Sequence, residues 1–483
     1  MTFLPPHDLP ELELFEHQLA SRYASRAMVR LFSPLYRMRV WRRLWLALAK
    51  CEMEMGLPIT GEQVAEMEAT KDAIDLAAIE AHERRLRHDV MAAIHAWGDI
   101  APKARPIVHL GATSCFVTDN GDILIALEAL KLVRRRILDV VAALSRFAAE
   151  WKAQPTLGFT HFQPAQPTTV GKRTTLWMQD LLLDLADLDH IADTTPIRGV
   201  KGTTGTQASF LELFGGDGKK VDSLESLFCK EVGRAAIPIS GQTSTRKLED
   251  RLGQVLCGIA ASASKFACDV RLLQHLKEVE EPFEKGQVGS SAMPYKRNPM
   301  RSERINSLSR FALGLLPSSY QTSATQWMER TLDDSAHRRL TVSMGFLAID
   351  AILVLYRNIA SGLVVYPKMI EARLAQELPF MAAEALLMEA VKRGGDRQDL
   401  HERFRLASLE AGRAVKEQGL PNPLVSLLAK DPAWRMTEGE LVALLDAGRF
   451  AGRAEEQVDA FLAGSVKKAL DGHVEEEAAA VKV

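Results

Sequence analysis

Apolar residues recur along much of the chain at spacings of three and four. Over 123–152 they fall at Leu130, Val133, Ile137, Val140, Leu144, Phe147 and Trp151. That alternation is the seam of a long packed helix, and about thirty residues at ~1.5 Å each predict a length of ~45 Å. A second seam runs through Leu248, Leu252, Val255, Ile259, Ala263, Phe266, Val270 and Leu273. A third follows Arg339, through Phe346 and Leu353 toward Leu363. No run of alternating strands and no βαβ rhythm is present, so the expected fold class is all-α with a central bundle of long helices. Boundaries near "HLGATS" (109–114) and "VVYPKM" (364–369) divide the chain into an N-terminal helical domain at 1–113, the bundle at 114–365 and a C-terminal helical domain at 366–483. Seams this long bury against more than one neighbour, which predicts homo-oligomerisation through the bundle. The end, "DGHVEEEAAAVKV", reads as a solvated tail.

Composition narrows the function. The 483 residues carry a formal net charge of -2 and are 47% hydrophobic. A general nucleic-acid or membrane-surface binder needs a one-signed electrostatic footprint, so any basic site here is local. The five cysteines, Cys51, Cys115, Cys229, Cys257 and Cys268, form no CxxC pair and suit a reducing compartment. The N-terminus is too acidic and proline-broken for a signal peptide. The run "MGFLAIDAILVLY" (344–356) contains Asp350 and reads as too short to span a bilayer. A soluble, cytoplasmic protein is expected.

Candidate chemistry lies between the helices. "EKGQVGSSAMPYKRNPMRSER" (284–304) sets glycines and the hydroxyls of Ser290 and Ser291 against Lys296, Arg297, Arg301 and Arg304. Glycine mobility, paired hydroxyls, a turn bracketed by Pro294 and Pro299, and four cations suggest closure over an anion. Other stretches are "SRYAS" (21–25), "RLRHDV" (85–90), "GFTHFQPAQPTTVGKR" (158–173), "RGVKGTTGTQAS" (198–209), "SGQTSTRK" (240–247) and "ERTLDDSAHRR" (329–339). Taken singly, each has a plain structural reading. His88 and His95 lie a heptad apart, ~10 Å along a helix axis, too far to share a metal directly. A lone His109 or His161 is more often a hydrogen-bonded structural residue than a catalyst. No HExxH, GxGxxG or GxxxxGK[ST] motif and no carboxylate cluster at ligand spacing is present. Chemistry therefore falls to side chains alone.

The loop Gly289-Ser290-Ser291-Ala292-Met293-Pro294-Tyr295-Lys296-Arg297-Asn298-Pro299 fits the GSSxMPxKxNP signature. With it the chain resembles the fumarase/aspartase superfamily of lyases. Together with "SRYAS", "RLRHDV", "LGATS" and "GFTHFQPAQ", it is similar to the adenylosuccinate lyase family, the animal-like branch most closely. The likeness runs from about Ser21 to about Asp399, and the stretch from about Leu400 carries no usable motif. The resemblance implies β-elimination of fumarate from adenylosuccinate, giving AMP, and from succinylaminoimidazole-carboxamide ribotide, in purine nucleotide biosynthesis. It also implies a homotetramer with active sites shared between subunits, and no cofactor or metal. Ser290 would be the base, His161 the acid, Glu303 the carboxylate that orients His161, and Lys296 a stabiliser of the serine oxyanion and of the doubly charged intermediate. Arg22, Tyr23, Arg330, Ser335 and Arg339 would hold the phosphate end. Thr113, Ser114, Lys296 and Asn298 would hold the succinyl carboxylates. Arg87, His88, Asp89 and Gln242 would line the rest, and Arg304 would add an anion contact. The alternatives are another superfamily lyase, such as argininosuccinate lyase, aspartase or fumarase, and a catalytically silent structural relative. The anion-binding set argues against a small dicarboxylate substrate, and intact His161, Ser290 and Lys296 argue against silence.

Overall fold

The structure is a computed structural model describing residues 16–284, 286–287 and 292–476. Early helices α1 (Pro34–Glu54), α2 (Leu76–Leu86) and α3 (Asp89–Ile100) lead to α4 (Ser114–Glu150), a hairpin of β1 (Pro155–Thr160) and β2 (Gln163–Thr169), and α5 (Val170–Thr194). Then come α6 (Lys247–His275), α7 (Met300–Leu315) and α8 (Asp334–Gly362). Helices α4 to α8 pack on one another as the central bundle. At 37 residues, α4 runs ~55 Å at ~1.5 Å per residue.

The seams do the packing. Leu130, Val133, Ile137, Val140 and Leu144 are fully buried, and every residue of the α6 seam from Leu248 to Leu273 is buried. Each fully buried Leu or Ile contributes about 1.5–3 kcal/mol relative to exposure, so the apolar rows decide which helix faces meet. Two-residue strands β3 (Val279–Glu280) and β4 (Val364–Val365) pair antiparallel and tie the end of α6 to the end of α8.

Three expectations need correction. The apolar run at 344–356 is part of a 29-residue helix, long and apolar enough by length and composition to cross a membrane; its apolar window is 67% buried inside the protein. Asp350 within it is fully buried, accepts the Ser25 backbone N–H at 2.6 Å and lies 3.6 Å from Arg136. The run is apolar because it packs inside the bundle, and its one charge ties α8 to the N-terminal segment and α4. Next, "LGFTHFQPAQPTT" is a hairpin, where no strand was expected. Pro164 and Pro167 pair opposite Phe159 and Leu157. Prolines cannot donate to a ladder, so they hid the strand from pattern reading. Finally, the C-terminal segment is pinned as far as it is described. His473 lies 3.0 Å from the buried Asp139 carboxylate, which also accepts from Arg357 at 3.1 Å, and Arg146 and Arg135 pair with Glu475 and Glu476.

Beyond α8, helices α9 (Pro367–Met381), α10 (Ala383–Lys392) and α11 (Arg397–Gln418) follow. Leu386, Leu400, Phe404, Leu424, Trp434 and Leu441 form an apolar cluster separate from the main core.

Candidate active site

Much of the site grows from one helix corner. Arg87 caps α2 in the left-handed conformation (φ 55°), with its N–H bonded to the Glu83 carbonyl at 2.7 Å. A non-glycine residue held there stores strain, which surrounding structure must offset. His88 then caps α3, its Nδ1 accepting from Met91 N–H at 3.4 Å. The corner thus presents Arg87, His88 and Asp89 side by side. Nε2 of His88 lies 3.4 Å from the Ser114 hydroxyl, and the Asp89 carboxylate accepts from Arg339 at 3.0 Å.

Thr113 occupies the N-cap position of α4 without a side-chain capping bond. The first turn of this helix therefore turns the positive end of its dipole toward the same space, with the Phe116 N–H bonded to the Thr113 carbonyl at 2.8 Å. Gln242 is placed by nested loops. A Cβ on Gly205 (φ +83°) would sit 1.8 Å from the Ser240 carbonyl, and one on Gly241 2.6 Å from the Glu329 carbonyl, so only glycine permits the approach. The Gln242 N–H bonds that Glu329 carbonyl at 3.0 Å. Arg330, Ser335 and Arg339 arrive from the start of α8 and the connection before it. Together, Arg87, His88, Asp89, Thr113, Ser114, Gln242, Arg330, Ser335 and Arg339 line a cavity of about 600 Å³.

Behind this wall lies a buried ionic frame that sequence reading missed. Arg246 bonds Asp119 at 3.0 Å and lies 2.6 Å from Asp334, all three only 1% exposed at the side chain. Arg338 lies 2.6 Å from Glu249 and 3.3 Å from Asp122. Although burial opposes it, the Arg246 and Arg338 charges hold Asp119 below the usual carboxylate range. Burial pushes Asp122 and Glu249 the other way. The frame joins α4, the 240–246 loop and α8, the three elements that deliver Thr113, Gln242 and Ser335. Its signal was the charge density of "STRKLED" and "DDSAHRR", which alone does not distinguish a frame from a solvated face.

The remaining candidates lie elsewhere in the chain. Lys296, Asn298 and Glu303 line a second cleft of about 610 Å³ with Arg271 and His275. Arg22 and Tyr23 sit on the turn Leu19–Tyr23. The Tyr23 ring has the Arg22 guanidinium 5.9 Å away and that of Arg304 5.4 Å away, a cation–aromatic stack. His161 is at the exposed hairpin tip, where it and Phe162 take φ of 52° and 58°, the two left-handed residues of a tight turn. Glu303 lies 3.9 Å from Arg271, and among the described residues no ion pair joins it to His161. Ser290, with Gly289 and Ser291, lies outside the described residues. Three of the four loop cations have partners within the chain, Arg304 through the Tyr23 ring. Arg301 is buried on the Pro282 carbonyl and Glu284, and Arg297 pairs with Glu280. The charges of Arg297 and Arg301 thus meet carboxylates at the loop's base.

The lone-histidine reading holds for His109. Its Nδ1 accepts from Trp45 Nε1 at 2.8 Å, and burial, reinforced by the nearby His88, pushes it down to about 4. His95 stacks on His82 at 5.7 Å, away from His88.

Comparison with known proteins identifies the family. Residues 60–314 match the lyase family model, and residues 379–461 match the model of the adenylosuccinate lyase C-terminus. Adenylosuccinate lyase of Schizosaccharomyces pombe is 48% identical over 458 residues, covering 94% of this chain and 95% of the relative. The Saccharomyces cerevisiae enzyme is 47% identical, covering 96% and 97%. The crystal structure of 3-carboxy-cis,cis-muconate lactonizing enzyme from Pseudomonas putida shares the fold, with a TM-score of 0.79 at 24% identity over 94% of this chain and 99% of that one. Family models covering both parts of the chain, near-full-length relatives and a shared helical fold lead to one conclusion: the chain belongs to the adenylosuccinate lyase family of the fumarase/aspartase superfamily.

Proposed function

We propose that the protein eliminates fumarate from adenylosuccinate, giving AMP, and from succinylaminoimidazole-carboxamide ribotide, giving the carboxamide ribotide. The observation that carries this reading is the cavity in which Arg87, His88, Arg330 and Arg339 meet the first turn of α4. A nucleotide bearing a phosphate and two carboxylates needs several anion contacts at once, whereas a small dicarboxylate needs fewer.

In the reaction, Ser290 as base takes the proton from the succinyl carbon beside a carboxylate. The released electron pair becomes the second bond of the fumarate alkene as the carbon–nitrogen bond breaks. His161, oriented by Glu303, delivers a proton to the departing nitrogen. Lys296 and the start of α7 stabilise the serine oxyanion and the doubly charged intermediate. Thr113, Ser114 and Asn298 hold the carboxylates; Arg22, Tyr23, Arg304 and Ser335 complete the anion grip; Asp89 and Gln242 line the remainder.

The described groups among these lie in separate regions of a single chain. That separation favours a homotetramer whose sites each draw on several copies, with the 114–365 bundle as its core and the 1–113 and 366–483 domains flanking it. All five cysteines are free, which suits a cytoplasmic location. The test is a spectrophotometric assay with adenylosuccinate, argininosuccinate and aspartate in parallel. Turnover of adenylosuccinate alone is expected. Preferential turnover of either other substrate, or of none, defeats the reading.

A further inference from the structure

One residue of the cavity wall carries no role so far. Cys115 occupies the second position of α4 and is 2% exposed. Its Sγ lies 3.0 Å from Nη1 of Arg330 and 4.0 Å from Oε1 of Gln242. Three separate segments therefore converge on one sulfur: the first turn of α4, the loop carrying Gln242 and the connection that leads into α8.

The partners of the neighbouring arginines differ. Arg339 faces the Asp89 carboxylate at 3.0 Å, and Arg338 is paired with Glu249 and Asp122. Among the described residues Arg330 has no ion pair, and its hydrogen bond goes to sulfur. We propose that Cys115 is a positioning residue for the anionic end of the substrate: it fixes the Arg330 guanidinium and the Gln242 amide while leaving the arginine charge uncompensated. This inference rests on the reading of Arg330 as a phosphate contact.

The chemistry suits a thiol. A carboxylate in this place would hold Arg330 more tightly but cancel the charge the ligand needs. An alkyl group would leave the guanidinium unheld. Sulfur accepts weakly from the guanidinium, and the Gln242 carbonyl oxygen, at 4.0 Å, and the Thr118 hydroxyl lie within reach of its S–H. Burial, ahead of the nearby Asp119 charge, pushes the Cys115 thiol above its ordinary value, so at neutral pH the group stays an uncharged bridge. Arg198 braces the other end, donating to the Gly241 carbonyl at 3.3 Å beside Gln242.

The experiment compares Cys115→Ala, Cys115→Val and Cys115→Ser with the wild type, with folding checked by thermal melting. Steady-state constants are measured with adenylosuccinate, and AMP affinity by calorimetry. Losing one hydrogen bond to a charged group weakens binding by roughly tenfold. Cys115→Ala should raise KM and the AMP dissociation constant by about that factor, with kcat within about twofold. Cys115→Val, which fills the volume without an acceptor, should behave alike and serves if the alanine variant is unstable. Cys115→Ser, whose hydroxyl accepts the same bond, should return within about threefold of wild type. Adding Cys115→Ala to Arg330→Ala should cause little further loss, because the thiol acts through that arginine. Wild-type constants in both Cys115→Ala and Cys115→Val overturn the inference. So does Cys115→Ser as impaired as Cys115→Ala, or full additivity with Arg330→Ala. Absence of wild-type turnover with adenylosuccinate would instead defeat the functional reading on which the inference rests.

Discussion

At the scale of single residues, two histidines that look alike in sequence part company in space. His109 is enclosed, bonded to Trp45 and held down to about 4 by burial first and His88 second. His161 stands at an exposed left-handed turn. The ordinary value of histidine is about 6.5. Below that pH the unfolded chain takes a proton that the folded chain refuses at His109 until about 4. The folded state binds fewer protons, so stability is full above about pH 6.5 and is lost as pH falls from 6.5 toward 4. At pH 5 the loss from this residue is about 2 kcal/mol at ~1.4 kcal/mol per pH unit. His109→Gln keeps an acceptor for Trp45 without titrating. Urea unfolding at pH 7 and pH 5 should show a smaller acid loss in the variant, and an unchanged pH dependence would contradict the assignment. Glu52 has the opposite slope. It is fully buried, both its carboxylate oxygens lack hydrogen-bond partners, and burial pushes it up to about 9. The folded state keeps a proton that the unfolded chain gives up above about pH 4.5, so this residue lowers stability as pH rises from there. Glu52→Gln should gain stability over wild type at pH 8 and little at pH 4.5, measured by the same unfolding curves. In the cavity wall, Arg339→Ala should raise the KM for adenylosuccinate by roughly tenfold to a hundredfold, as expected for a lost charge-assisted contact at ~1.5–3 kcal/mol. An unchanged KM in a stable Arg339→Ala protein would remove the phosphate assignment.

At the scale of elements, the long helices were legible because burial fixes their seams. Leu130 to Leu144 and Leu248 to Leu273 lie where the three-and-four spacing placed them. What sequence could not show were elements defined by backbone exceptions or distant partners. The hairpin carrying His161 was masked by Pro164 and Pro167. The corner at Arg87 depends on a left-handed arginine, for which no residue-type signal exists. The C-terminal segment is held by Asp139 and Arg357, more than 100 residues upstream in the chain. The buried frame of Arg246, Asp119 and Asp334 belongs to the same class, since its members come from three elements. Removing one partner leaves uncompensated buried charge, which costs about 3–5 kcal/mol. Asp334→Ala should therefore lower the unfolding midpoint sharply, and any folded fraction should show a raised KM because Ser335 adjoins it and Arg339 follows on the next turn of the same helix. An unfolding midpoint close to wild type would mean that the frame contributes little and that Arg246 finds solvent.

At the scale of the whole molecule, the motifs gave the identities of the candidate residues but not their distances. One chain gathers Arg87, His88, Asp89, Thr113, Ser114, Gln242, Arg330, Ser335 and Arg339 around one cavity. It holds Lys296, Asn298 and Glu303 at another cleft, Tyr23 on a separate turn and His161 on a hairpin tip. Periodicity within a chain says nothing about which surfaces of two copies meet, so this division was invisible until the helices were placed. We propose that the acid His161 and the base Ser290 of a single site come from different copies of the chain. The most direct measurement mixes two inactive variants, His161→Ala and Ser290→Ala, under conditions that exchange subunits, and follows adenylosuccinate turnover. Each variant alone should be reduced by several orders of magnitude, while the exchanged mixture should recover a substantial fraction of wild-type activity, because some mixed sites contain both native residues. A mixture that stays as inactive as its components after verified exchange would contradict the shared site.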